Sequence, residues 1–243
     1  MTVVARPGPR ARRLIVNADD FGQSAGINEG IIRCHEAGVV TSASLMVRWP
    51  WSWAAAAYAR QEPAMSVGLH VDLGEWACRN GEWLPVYEVV SRSDAAAIRA
   101  EIVDQLELFE RMVERPPTHL DSHQHVHAEE PARSIVAEIA ECLGVPYRRG
   151  SGRITYCGEF YGQTRDGCAL KDAISVARLI EILKALPTGT TELSCHPGLR
   201  NDAPGMYVAE REQEARALCD PRVRESITEH GIELISFCDV ATP

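Results

Sequence analysis

A chain of 243 residues, 45% of them hydrophobic and 24% charged, has the length and composition of one globular domain able to bury a sizeable core. Its net charge of −9 argues against a general phosphate-backbone binder, which needs a basic footprint, and no apolar run is long enough to suggest a membrane span. The cysteines at 34, 78, 142, 157, 168, 195, 219 and 238 never form a C-x-x-C pair, which speaks against a zinc knuckle or thioredoxin-like site and for free thiols in a reducing cytoplasm.

The first 12 residues, rich in proline and arginine and lacking an apolar core, read as a disordered tail rather than a signal peptide. From residue 13 to 243, short β-rich runs alternate with longer helical ones, the pattern of parallel βα units. Leu14-Ile15-Val16 reads as a buried strand, followed by a helix with Ile27, Ile31 and Ile32 on one face that ends near Gly38. Residues 41–47 form a second strand, residues 51–60 an alanine-rich helix, and residues 66–73 a third strand. The segment after it, with Trp76, Trp83 and two glycines, is too long for a simple turn and is expected to be a functional loop. Ile98, Ile102, Leu106, Phe109 and Val113 mark one stripe of a long helix from about Asp94 to Glu114, stopped by Pro116-Pro117. A fourth strand begins in 118–122, a helix covers 131–143, and 145–148 is a short strand. The stretch 150–167 has no assignment; beyond it come a helix at 173–186, a strand at 190–195, a helix at 210–218 and a last strand at 232–237. About seven βα units without repeats or a linker predict a single-domain α/β protein, a (β/α) barrel of irregular form, with a doubly wound open sheet as the alternative.

The densest chemistry lies in Asp121-Ser122-His123-Gln124-His125-Val126-His127. If this run stays extended, Asp121, His123, His125 and His127 share one face, a concentration of metal ligands and proton carriers that a solvated polar loop would not need. In a parallel barrel the chemistry gathers at the C-terminal ends of the strands. Asp19 and Asp20 follow the first strand, His70 and Asp72 the third, Asp121 and His123 the fourth, and His196 the strand ending at Cys195. Adjacent ionised carboxylates are costly unless a cation binds one of them, which frees the other to act as a base. Helix capping or an Asx turn is the competing reading for Asp19-Asp20 alone. His35 and His230 fall in helices and read as surface residues, while His119 reads as support for the cluster.

With these residues laid out, the chain resembles the YdjC-like carbohydrate deacetylases, a family that includes chitooligosaccharide deacetylases and a hopanoid-associated branch. The resemblance is carried by residues 14–22 (LIVNADDFG), 38–44 (GVVTSAS), 68–70 (GLH), 118–127 (THLDSHQHVH) and 195–198 (CHPG), in family order. It implies a distorted TIM-like barrel and one divalent metal ion, Mg2+ or Zn2+, held by Asp20, His70 and His123, with Asp19 as general base. It further places His125 and His127 as supporting or substrate-facing groups; the spacing of the three histidines cannot itself choose the ligand. Residues 74–83 depart from the chitooligosaccharide enzymes.

The expected reaction is hydrolysis of an N-acetyl group from an amino sugar, with His196 or a cluster histidine protonating the leaving amine. Asp121, Trp76 and Trp83 join His125 and His127 as substrate-facing or supporting residues; Tyr156, Phe160 and Tyr161 could add flat faces for sugar rings. The expected partner is a small-molecule N-acetylated sugar, with no nucleic acid, no membrane span, a cytoplasmic location and a homodimer as one assembly to consider. The alternatives are a non-catalytic carbohydrate-binding protein on the same barrel and a metal-dependent phosphoesterase, the latter weakened by the lack of a Gly-rich phosphate cradle.

Overall fold

Apolar runs without alternation build the centre of the molecule, because a parallel strand is covered on both faces. A computed structural model describes residues 11–240 apart from 151, 201 and 204. Its first half runs β1 (Arg12–Phe21), α1 (Ala25–Glu36), β2 (Ser42–Leu45), α2 (Ser52–Gln61), β3 (Ser66–Val71), β4 (Gly74–Arg79), β5 (Glu82–Glu88) and α3 (Ala95–Val113). There follow β6 (Leu120–Ser122), α4 (Ala132–Leu143), β7 (Ile154–Cys157), α5 (Val176–Ala185), β8 (Gly189–Cys195), α6 (Ala209–Leu218), α7 (Pro221–Glu229) and β9 (Ile232–Leu234). Strands β6, β3, β2, β1, β8 and β7 pair in that order, all parallel, with β9 beside the first half of β1. The sheet curls into a half-barrel, as expected of a distorted TIM-like fold in one domain.

Local chemistry sets the element ends. Ser24 caps α1 by accepting from the Ile27 N–H, and Asp94 caps α3 by accepting from Ala96 and Ala97. Along α3, Ile98, Ile102, Phe109 and Val113 are buried as expected, each contributing about 1.5–3 kcal/mol of hydrophobic stabilisation. Leu106 is only half-buried, and Gln105 takes the inner place because its amide exchanges hydrogen bonds with the Asp72 backbone, 2.9 Å and 2.7 Å.

Several sequence expectations change. The first strand is much longer than Leu14-Ile15-Val16, so Arg12 already belongs to it, and the predicted tail lies, up to residue 10, outside the described residues. The region 74–88 is an antiparallel hairpin, β4 with β5, not a loop. Residues 145–148 make only a single parallel bridge, Tyr147 with Leu120, and the unassigned stretch contains β7. Helix α7, begun by Pro221 behind the Asp220 cap, has no counterpart among the predicted elements. The last strand stops at Leu234, and Phe237 starts a 3-10 turn.

Candidate metal and catalytic site

The two aspartates of β1 reach the same cleft because the strand is irregular there. In a regular strand Asp19 and Asp20 would face opposite sides. The pairing with β2 shifts between Ala18 and Phe21, and Asp20 has φ of 68°, a left-handed conformation that re-aims its side chain. Gly22, at φ of 95°, lets the chain turn under Met46 and Ser52, where an added Cβ would come within about 3 Å of backbone.

Asp20 is the meeting point. Its Oδ1 lies 3.0 Å from His123 Nδ1 and 3.3 Å from His70 Nε2, while its Oδ2 accepts from Arg211 at 2.6 Å. The ligand atoms of Asp20, His70 and His123 all fall within 4.8 Å of one another, and all three residues are buried. His70 Nδ1 is paired with Asp121 Oδ1 at 2.7 Å, which fixes the ring and turns Nε2 toward Asp20, the usual support of a metal-binding histidine. Burial would lower the His70 pKa, but Asp121 raises it to about 10, so the pocket favours positive charge. A second grouping, Asp19, His70 and Asp121, is also compact. Arg148 engages both Asp19 oxygens and shares Asp121 with His70, whereas Arg211 takes only Oδ2 of Asp20, so Asp20, His70 and His123 could hold a divalent ion with one oxygen and two imidazoles.

Asp19 is held beside this set by a buried guanidinium. Arg148 donates to both Asp19 oxygens at 2.7 Å, to Asp121 at 2.8 Å and to Glu192 at 2.7 Å. Burial pushes the Asp19 pKa up, yet Arg148 brings it below the ordinary value, so the carboxylate is ionised. His196 Nε2 stands 3.6 Å from Asp19 Oδ2, and burial lowers its pKa to about 4, leaving the imidazole neutral. The His196 peptide is gripped by α6: Glu214 accepts its N–H at 2.5 Å, and Tyr207 donates to the same carboxylate.

The histidine cluster does not run extended. β6 ends at Ser122, and Gln124 and His125 adopt left-handed backbone angles inside a 3-10 turn. The shared face expected of Asp121, His123, His125 and His127 is therefore absent. His123 turns to Asp20, His125 Nε2 pairs with Tyr156 Oη at 3.0 Å, and His127 Nδ1 pairs with Ser122 Oγ at 2.5 Å. Asp121 is wholly buried between Arg148, His70 and Ser44, out of reach of the cleft.

The cleft itself encloses about 550 Å³, within the range of small-molecule sites. Asp19, Asp20, His70, His123, His125 and His196 line it together with Trp76 and Trp83 of the hairpin. Tyr156 and Tyr161 line it too, whereas Phe160 is a fully buried core residue. Asp72 is not a site residue: it accepts from Trp49 and Tyr87 and anchors the hairpin. His119 supports from behind, 3.0 Å from Ser44 Oγ and stacked on Phe237, and His35 and His230 lie away from the cleft, their rings against the Val40 and Ser226 carbonyl oxygens. Sequence reasoning missed Arg148, Arg211, Glu192, Glu214 and Glu75, the last with its Oε2 3.9 Å from His123 Nε2, since a lone Arg or Glu in a helix, strand or turn carries no spacing signal.

The family model of YdjC-like proteins matches residues 13–229. The chain belongs to the YdjC-like family. Relatives of this YdjC-like protein include a carbohydrate deacetylase of Geobacillus stearothermophilus, 32% identical over 93% of this chain and 97% of that one. A chitooligosaccharide deacetylase of Serratia marcescens is 31% identical, covering 93% of this chain and 98% of its own. Among solved structures, an Enterococcus faecalis protein provisionally assigned to cellobiose-phosphate cleavage superposes with a TM-score of 0.78 at 24% identity, over 96% of this chain and all of that one. A family 4 carbohydrate esterase of Streptomyces lividans, determined with acetate, shares the fold at a TM-score of 0.55 and 14% identity, over 96% and 98% of the two chains. Among the described residues no helix is long and apolar enough to cross a membrane.

Proposed function

We propose that this YdjC-like protein hydrolyses the N-acetyl group of an amino sugar or of a glycoconjugate carrying one, releasing acetate and a free amine. The observation that carries the reading is the convergence of His70 and His123 on one oxygen of Asp20, with Asp19 held ionised beside it by Arg148. The names of the relatives, carbohydrate deacetylase and chitooligosaccharide deacetylase, agree with it.

In this reading Asp20, His70 and His123 hold one divalent cation. Two imidazoles with one carboxylate favour Zn2+ over Mg2+, which prefers an all-oxygen shell. Bound there, the ion supplies positive charge to the acetyl carbonyl and to the attacking water. Asp19 takes the proton from the water as it adds to the carbonyl carbon. His196, neutral because buried, receives that proton 3.6 Å from Asp19 and delivers it to the sugar nitrogen as the C–N bond breaks. Arg148 keeps Asp19 aimed, and ionised until it takes the proton, and Glu214 keeps the His196 peptide in place. Trp76, Trp83 and Tyr156 offer flat faces to sugar rings, and His125, tied to Tyr156, orients that face. The free thiols of the described cysteines are in keeping with a cytoplasmic location.

The test is to purify the protein without chelator, measure its metal content, and follow acetate release from N-acetylated mono- and disaccharides with and without EDTA. Chelator-sensitive release is expected. Metal without acetate from any sugar would redirect the search to larger substrates or phosphoesters, and sugar affinity without metal would favour the binding-protein reading.

A further inference from the structure

Away from the cleft, α1 and α6 bring two thiols into contact. Cys34, in the last turn of α1, is fully buried, whereas Cys219, the C-terminal cap of α6, is half-buried. Their sulfurs lie 3.7 Å apart. Each also faces the other's helix, Cys34 Sγ at 3.7 Å from the Ala215 carbonyl oxygen and Cys219 Sγ at 3.9 Å from that of Arg33. Joining them requires the sulfurs to close by about 1.7 Å to the disulfide length.

Access is one-sided. Cys219 borders a cavity of about 580 Å³ whose walls include Gly38, Asp220, Pro221 and Arg224. A Cβ at Gly38 would sit 2.7 Å from the Leu218 carbonyl oxygen and 3.2 Å from Cys219 Sγ, so glycine is what lets the two helix ends meet and leaves the thiol open. Cys34, behind it, is shielded from solvent. The contact with Cys34 lowers the Cys219 pKa to about 7, against burial and with help from Arg33, while the same contact and burial raise that of Cys34, which keeps its proton. The pair thus divides into an accessible nucleophile and a shielded partner.

We propose that Cys219 and Cys34 form a redox-active dithiol site, in which a hydroperoxide oxidises Cys219 and Cys34 resolves it to a disulfide joining α1 to α6. The Cys219 thiolate attacks a peroxide oxygen, the O–O bond breaks, and hydroxide leaves; protonated, it is the first water, and the sulfur carries the hydroxyl as a sulfenic acid. Cys34 sulfur then displaces that hydroxyl, the S–S bond forms, and the Cys34 proton leaves with it as a second water. Two thiols have lost two electrons and one hydrogen peroxide has gained them. The crosslinked helix, α6, is the one whose Arg211 holds Asp20 and whose Glu214 holds His196, so oxidation fixes the scaffold of the cleft. The site does not depend on what the cleft hydrolyses.

The experiment treats the full-length protein with stoichiometric hydrogen peroxide, alkylates it under denaturing conditions, and maps its peptides. A crosslinked peptide joining Cys34 to Cys219, with both alkylation sites lost and both recovered by dithiothreitol, is the expected result. Cys219→Ser should abolish the crosslink, and a sulfenic-acid probe should label Cys219 in Cys34→Ala but not in the wild type. Alkylation of both residues after peroxide, or oxidation confined to the exposed Cys142, Cys168 and Cys238, would overturn the proposal. The wild-type peptide map is decisive by itself, even where a Cys34 variant folds poorly.

Discussion

The neighbouring aspartates Asp19 and Asp20 carry the same side chain and meet different partners. Asp20 faces two imidazoles and Asp19 faces a guanidinium. Asp20→Ala or His123→Ala should therefore lose metal and turnover together, whereas Asp19→Asn should keep its metal and lose about a hundredfold or more of kcat, the scale of general-base catalysis. Metal analysis beside acetate kinetics separates the two, and near-normal turnover in Asp19→Asn would remove it from the base role. His35→Ala serves as control and should leave turnover intact. Arg148 is the group on which the arrangement leans, since its removal strands Asp19 and Glu192 without its guanidinium in a buried space and leaves Asp121 with His70 alone. Arg148→Met is expected to cost about 3–5 kcal/mol of unfolding free energy, measurable by urea denaturation; a change under about 1 kcal/mol would mean that water or bound metal already compensates these carboxylates.

At the scale of elements, the hairpin of β4 and β5 gives the cleft its own character. It leaves the sheet after β3, is pinned by Asp72 to Trp49 and Tyr87, and exchanges backbone hydrogen bonds between Trp76 and the Gln124 side chain at 2.9 Å and 2.8 Å. Cross-strand pairing sets Cys78 opposite Trp83 and Trp76 opposite Pro85, which puts both tryptophans on the face that lines the cleft. Trp83 remains 46% exposed, so it adds little to stability and is available to a ligand. Trp83→Ala should raise KM about tenfold, the equivalent of one stacked ring, with kcat and the unfolding midpoint nearly unchanged. A fall in kcat at constant KM would instead give the hairpin a part in the chemistry.

For the whole molecule, the curled parallel sheet puts polar groups into its own interior and couples stability to pH. His119 is 1% exposed, and burial lowers its pKa to about 4 from an ordinary value of 6.5. Between those values the unfolded chain holds a proton that the folded one does not. The stability His119 contributes is thus complete above pH 6.5 and is lost as the pH falls toward 4, by about 1.4 kcal/mol per pH unit. Urea midpoints at pH 7 and pH 5 should lie closer together in His119→Gln than in the wild type; an unchanged gap would assign the acid sensitivity to other groups.

What the sequence determined by itself was the βα alternation and the identities at the strand ends. The apolar runs of β1 and β3 and the stripe of α3 are local patterns, as is the histidine-rich segment, and local patterns survive folding. Asp19, Asp20, His70, His123 and His196 could be placed on one rim because a parallel barrel delivers its strand ends there. The tertiary structure decided how those residues divide. A left-handed Asp20 and a strand that stops at Ser122 broke the simple alternation, turning His123 toward the aspartate and sending His125 and His127 elsewhere. Arg148 and Arg211 come from 129 and 191 residues away to meet Asp19 and Asp20. Such ion pairs depend on which surfaces the fold brings together, and nothing in the spacing of one charged residue tells what will lie opposite it once water is excluded.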